Sequence, residues 1–374
     1  VSKPLALSMT DIRKLPRVEL VSVLECAGNG RSLYAPPMPG LQWSYGAVGN
    51  AKWAGVRLGD VLKQAGVKPA GREVLFDGLD VGPGTMPDFQ RTIPVKKALD
   101  PNTLLAYEMN GRTLPLQHGF PLRVIAPGWA SDSWVKWLAK ITVLDHDFDG
   151  FFMKTAYRHP GKPVRPGEAV PPEKMSPVTS LRVKSVISTP ADGATVAPGG
   201  VVKVAGAAWS GDGGPVESVE VSADGGRTWR AAAMISPRTP FGWRLWSFDW
   251  RPAREQFHTL MARAKTAAGD IQPFAQEWNP SGYQWNVVHK VGLNVSSQPA
   301  PAAQPAGPVD VSGQPAGYRN SCLVCHGDDV VTQQRLTRGQ WEKEVDKMGR
   351  WGARVKPEDR EALLDYLMRI SRGR

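Results

Sequence analysis

Cysteine is scarce in this chain. Its 374 residues include three, Cys26, Cys322 and Cys325, too few for a disulfide framework. Long apolar runs are missing too. No stretch of about 18 apolar residues occurs, so no membrane-spanning helix is expected. Blocks of like charge are also absent. The formal charge is +11, from 46 basic and 35 acidic residues. That excess is spread as +6 over 1–180, +3 over 181–294, −1 over 295–317 and +3 over 318–374. Nucleic-acid footprints cluster, so a dispersed excess argues against a nucleic-acid partner. A mildly basic surface around an anion pocket accounts for it. Val1 is not followed by a basic and then an apolar segment, so no secretory signal is read in this stretch. Hydrophobic residues, at 41% with 14 tryptophans, exclude a disordered chain. The length predicts two or three domains.

The pattern changes along the chain. Residues 17–26, RVELVSVLEC, read as a buried strand, followed by the glycine-rich turn AGNGRS. Residues 58–66 read as a helix closed by Gly66. Residues 121–126 and 134–144 read as strands. Short mixed strands and helices predict an α+β domain over 1–180. From 181 to 294 turn signals multiply, and Asp224-Gly225-Gly226 is placed as a hairpin turn. Trp246, Phe248 and Trp250 alternate at period two, so they share one sheet face. An all-β, immunoglobulin-like sandwich is expected there. Residues 295–317, rich in Pro, Ala, Gly and Ser, read as a linker of up to roughly 70 Å if polyproline-like. Residues 318–374 then predict a small all-α unit, with helices over 339–348 and 357–370.

The strongest motif is Cys322-Leu-Val-Cys325-His326, the c-type haem attachment signal. Two thiols at this spacing add across two vinyl groups, and the adjacent histidine becomes an axial ligand. Zinc would need four ligands, and 318–374 has no further Cys or His. A dithiol redox site would sit near a βαβ pattern, which is missing. A Met/His ligand pair raises the potential of a haem. Of the two methionines in the unit, Met348 stands beside a Gly-Arg-Trp-Gly break and is predicted to leave its helix and face the iron. Met368 is expected to pack.

Cys26 has no disulfide partner once the other two hold haem. A lone cysteine is commonly an inert core residue. Cys26, though, ends an apolar strand before a glycine-rich turn bearing Arg31, a context that also suits ligation of a soft metal.

ECAGNGRS resembles the cysteine loop of the sulfite oxidase family of molybdenum enzymes. The resemblance continues through WSYGAVGNAKWAGVRLGDVL, FDGLD, LLAYEMNGRTLPLQHGFPLRVIAPGW, SWVKWL, AAWSGDGG, VSADGGRTW and EWNPSGYQWN. It covers residues 1–294. The C-terminal unit is similar to the small c-type cytochromes of bacterial sulfite dehydrogenases. This resemblance implies a sulfite oxidase-type molybdopterin domain fused through the linker to a cytochrome c domain. It implies a molybdenum-molybdopterin cofactor with Cys26 as thiolate ligand, and one covalent haem c. It implies pterin contacts from Asp80, His118, Arg123, Trp134, Val135 and Lys136. Arg31 and Trp43 would line the substrate pocket. The expected activity is oxidation of sulfite or a related sulfur compound, with electrons passing to an external cytochrome c. A homodimer in the periplasm is implied as well, and the stretch before Val1, with the export signal and a further pocket arginine, is expected to be missing.

Two positions depart from the family. Its metal-adjacent tyrosine is replaced by Ala207, as in the sulfane dehydrogenase branch, and a pocket arginine by Ser281. A sulfane dehydrogenase-type oxidation, a reductase of sulfoxide or nitrate type, and an electron carrier on a vestigial molybdenum-domain scaffold remain as alternatives.

Overall fold

The computed structural model describes residues 1–298 and 313–372, so most of the expected linker lies outside the described residues. The alternating run Arg17–Glu25 is a strand and pairs antiparallel with Val48–Arg57. Leu104–Met109 and Arg112–Thr113 extend this sheet in that order, and Arg123–Ile125 also pairs with Leu104–Met109. A second sheet orders Arg91–Pro94, Glu73–Gly78 and Leu138–Leu144. The helix Leu58–Ala65 ends where Gly66 adopts a left-handed φ of 67°, a conformation glycine takes without a Cβ penalty. Its apolar face joins Val56, Phe76, Ile93, Leu105 and Val124 in one buried core. The strand expected over 134–144 begins only at Leu138. Trp137 takes a left-handed φ of 50°, which breaks the extended run before it.

From Lys184 to Val295 two sheets face each other. One orders Lys184–Thr189, Val202–Trp209, Arg244–Trp250 and Ala233–Met234. The other orders Thr195–Val196, His289–Val295, Phe257–Thr266, Val216–Ser222 and Arg230–Ala231. Trp246, Phe248 and Trp250 all point into the core between them. This sandwich is tied to the first sheet by backbone pairing of Ser22 with Phe241, and Trp129 pairs with Ser180 just ahead of it.

The described part of the C-terminal unit is helical. Arg338–Arg350 starts with a capping box between Thr337 and Gln340, and Arg360–Arg372 follows a single turn at Pro357–Asp359. Tyr318, Trp341, Leu363 and Leu367 are buried between these elements. The unit touches a loop of each sheet of the first domain. The Gln42 N–H donates to Gln333 Oε1 at 2.9 Å, and the Thr85 hydroxyl donates to the Arg350 carbonyl. Among the described residues no helix is long and apolar enough to cross a membrane.

Candidate functional site

Cys26 follows the last residue of the Arg17–Glu25 strand. Its N–H donates to the Ala47 carbonyl at 3.0 Å, and its own carbonyl accepts the Asn29 N–H at 2.9 Å. These bonds fold 26–29 into a tight turn. Burial pushes the thiol pKa up, while the Gly28 backbone and the nearby Arg31 charge favour the thiolate. Behind it, Glu25 is buried. Its Oε1 pairs with Lys184 and accepts Asn29 Nδ2 at 2.8 Å, and its Oε2 accepts Trp209 Nε1 at 2.7 Å. Lys184 and Trp209 come from the sandwich, so the turn that presents Cys26 is fixed from two domains.

Arg31 opens the next short turn and is only 8% exposed. Nη1 donates to the Leu41 carbonyl at 3.1 Å and Nε to the Ser281 carbonyl at 3.4 Å. Its guanidinium lies 5.0 Å from the Tyr283 ring centroid. Three glycines enclose it. A Cβ on Gly28 or Gly40 would come within 2.8 Å of the guanidinium nitrogens, and one on Gly282 within 2.9 Å of Cγ. Among the described residues Arg31 forms no ion pair with a carboxylate. Trp43 is 40% exposed, and its carbonyl accepts the Ser32 N–H and hydroxyl, so it stands at the rim of the Arg31 turn. Ser281 contributes its backbone, not a side-chain charge.

A second cationic cluster lies at the ends of Glu73–Gly78 and Arg123–Ile125. Arg123 is buried. It donates to the carbonyls of His118 at 2.9 Å and Trp134 at 3.1 Å, while its Nε is buried without a partner. Burial lowers its pKa to about 10. Lys136 donates to the Gln117 carbonyl at 3.1 Å, and its pKa is lowered by burial and then by Arg123, against the pull of Asp80. A Cβ on Gly119 would crowd both Lys136 and Arg123, and one on Gly78 would strike Asp80. Asp80, His118, Arg123 and Lys136 are therefore gathered in one place. Two cations without a paired carboxylate among the described residues, one nitrogen orphaned, fit a phosphate. Trp134 and Val135 behave differently. Trp134 is buried edge-to-face against Trp53, with its Nε1 unpartnered, and the Val135 side chain sits in the core. Trp134 reaches this cluster through its carbonyl, whereas the Val135 carbonyl accepts the Val124 N–H at 2.9 Å.

In the C-terminal unit, Cys322, Cys325, His326 and Met348 line a largely apolar cavity of about 420 Å³, with Trp341, Leu336, Val345 and Trp351. Pro83 and Met86 of the first unit close one side. Burial pushes the Cys322 thiol up to about 11. Met348 does not leave its helix. The helix runs through it to Arg350, and Met348 reaches the cavity from the last turn. Met368 packs against the unit's core. Two thiols, an imidazole and a thioether around an apolar hollow are the donor set a c-type haem takes.

Residues 1–152 match the oxidoreductase molybdopterin binding domain family, and 175–296 match the Mo-co oxidoreductase dimerisation domain family. The chain is 32% identical to the sulfite oxidase of Arabidopsis thaliana over 325 residues, covering 79% of this chain and 80% of that one. It belongs to the sulfite oxidase family. Mitochondrial sulfite oxidase of Homo sapiens is 39% identical over 305 residues, 78% of this chain and 55% of that protein. The chain thus spans about half the length of the animal mitochondrial members. The sulfane dehydrogenase SoxCD from Paracoccus pantotrophus has a solved structure similar to this fold, with a TM-score of 0.67 and 26% identity over 80% of this chain and 76% of that one. Among the described residues no three His, Cys, Asp or Glu side chains gather to hold a metal. A metal at Cys26 would take its other ligands from the cofactor.

Sequence reasoning missed Glu25 and Asn29, although both sit in the quoted motif. It also missed Lys184, Tyr157 and Tyr283. Tyr157 and Tyr283 stack at 5.7 Å and pack, with Ala207, against the apolar cluster containing Ala27. Two half-buried tyrosines therefore share this cluster with Ala207.

Proposed function

We propose that the chain oxidises sulfite or a related sulfur compound at a molybdenum centre on Cys26, and passes electrons through a haem c on Cys322, Cys325 and His326 to an external cytochrome c. The observation that carries this reading is the pairing of Cys26 with Arg31, a buried guanidinium without a carboxylate partner among the described residues, on consecutive turns of one loop. The bound molybdopterin supplies two-electron oxygen-transfer chemistry. Arg31 attracts and orients the anionic substrate. Its charge is neither neutralised by a carboxylate nor screened by bulk water, so each bond to an anion counts more. The Glu25 network holds the Cys26 turn rigid, which keeps the sulfur ligand and the anion site in register. Arg123, Lys136 and His118 hold the cofactor's phosphate. His326 and Met348 would hold the haem iron, and a Met/His pair would raise its potential. The dimerisation-domain match supports a homodimer, and thioether haem attachment supports a periplasmic setting.

A second substrate class is favoured by a specific observation. Ala207 removes the hydroxyl of the family tyrosine, and the fold is similar to a sulfane dehydrogenase, so sulfane sulfur competes with sulfite as the substrate. Metal and haem analysis tests the cofactor reading. One molybdenum and one haem per chain are expected. Cys26→Ser keeps the haem and loses its reduction by the sulfur substrate, and Met348→Ala lowers the haem potential and removes the methionine-ligand absorption band. Haem without molybdenum in the wild-type chain would leave only the electron-carrier reading. An unaltered spectrum in Met348→Ala would remove Met348 as ligand.

A further inference from the structure

A row of rings runs between the two sites. Trp351 lines the cavity of Cys322, Cys325 and His326. Its indole meets Phe151 edge-to-face, with centroids 6.3 Å apart. Phe151 meets Phe152 at 5.1 Å, and Phe152 meets Tyr157 at 6.2 Å. Phe89 doubles this step, 4.9 Å from Phe152 and 6.2 Å from Tyr157. Tyr157 stacks on Tyr283 at an interplanar angle of 11°, and Tyr283 lies under the Arg31 guanidinium. The N–H of Gln284, the next residue, donates to the Ala27 carbonyl at 2.9 Å, beside Cys26.

We propose that Trp351, Phe151, Phe152, Tyr157 and Tyr283 form the electron path between the Cys26 centre and the cavity of the C-x-x-C-H motif. The proposal rests on the reading of both ends given above. Electron tunnelling decays less through closely packed atoms than across gaps, and every step in this row is a ring contact within the range where aromatic pairs attract. Tyr157 adds a second, independent observation. It is not glycine, yet its φ is 54°, an uncommon and costly conformation for a bulky residue. The Val178 N–H holds its carbonyl at 2.8 Å, and its own N–H donates to the Tyr283 hydroxyl oxygen. The surroundings thus force the ring into the row.

Each transfer moves one electron from the Cys26 centre to ferric haem, giving ferrous haem. The rings keep their electrons, and no bond forms or breaks. The external cytochrome c reoxidises the haem between the two transfers that one substrate supplies.

The test uses the full-length holoenzyme, with Phe151→Leu, Phe151→Trp and Phe152→Leu. Phe151 is half-buried at the start of a short helix, so leucine keeps its apolar contact. Haem is reduced by a flash-excited flavin, and equilibration with the molybdenum centre is followed optically. Haem potential, metal and haem content, and hydrogen-exchange protection at 82–86 are measured on the same samples. Phe151→Leu and Phe152→Leu are expected to slow equilibration by roughly an order of magnitude, Phe151→Trp to restore it, and the other readouts to stay unchanged. Wild-type rates in both leucine variants overturn the path. A slower rate accompanied by lost protection at 82–86 makes Phe151 a docking residue and overturns it too. A wild-type chain lacking either cofactor defeats the underlying functional reading instead, before any variant is compared, and the path falls with it.

Discussion

Arg31 is held in place by residues that have no side chains. Gly28, Gly40 and Gly282 leave the space that its guanidinium fills. Gly28 is the informative one, because it carries no left-handed backbone and a methyl group there adds no backbone strain. A Cβ at Gly28 would approach Arg31 Nη2 to 2.8 Å, and the flexible arginine would have to move. Gly28→Ala is therefore predicted to raise KM for an anionic substrate by roughly tenfold, equivalent to about 1.4 kcal/mol of lost binding, with little change in thermal midpoint. Steady-state kinetics beside a melting curve checks the split. Cys26 and Arg31 were both legible in the sequence, because a strand end, a glycine turn and five residues of spacing put a thiol and a cation on one loop. The rest of the enclosure was not. Gly282 and Ser281 reach Arg31 from a loop that Asn279 closes, its Oδ1 accepting the N–H groups of Ser281 and Tyr283, both at 3.2 Å. That contact spans 250 residues, and no local pattern announces it.

The strand Arg17–Glu25 shows how an element carries a site. Its alternation was plain in the sequence, yet the role of its last residue was not. Glu25 ends the strand against Lys184 and Trp209, both from the sandwich, and a buried carboxylate is recognisable only once its partner is known. Removing one member of such a pair leaves an uncompensated buried charge. Glu25→Gln is predicted to destabilise the protein by roughly 3–5 kcal/mol, measurable by denaturant unfolding, whereas a surface substitution such as Lys203→Gln should change little. The sandwich also carries an acid-sensitive element. His289 begins its strand, and its Nδ1 accepts the Ile187 N–H at 2.8 Å, which only the neutral ring can do. Burial lowers its pKa to about 4, against an unfolded value near 6.5. Between these values the unfolded chain binds the extra proton. Stability is thus full above about pH 6.5 and is lost as pH falls toward 4, by about 3 kcal/mol. Melting midpoints from pH 7 to 4 should fall more steeply for the wild type than for His289→Gln. Helix periodicity was equally readable around Met348, but the break after it was placed too early. Gly349 and Arg350 continue the helix, because an isolated glycine near a helix end costs only about 1 kcal/mol.

For the whole molecule, composition and order of motifs already separated an α+β part, a sandwich and a helical C-terminal unit. Their mutual arrangement was not readable. The C-terminal unit sets its cavity against Pro83 and Met86 of the loop that follows Asp80, and Trp351 against Phe151. Contacts of this kind depend on surface shape, and a sequence pattern records only the periodicity of each element. The scarcity of cysteine takes on meaning at this scale. All three cysteines lie at the two proposed redox sites, and the aromatic row joins those sites. The most direct test of the account is anaerobic mixing of the purified chain, with molybdenum and haem contents established, against sulfite and against a sulfane-sulfur donor. The account predicts that one of these reduces the haem at Cys322, Cys325 and His326 in the wild type, seen as growth of the ferrous band, and that Cys26→Ser abolishes the reduction. Haem that stays ferric with both donors while both cofactors are present would contradict it.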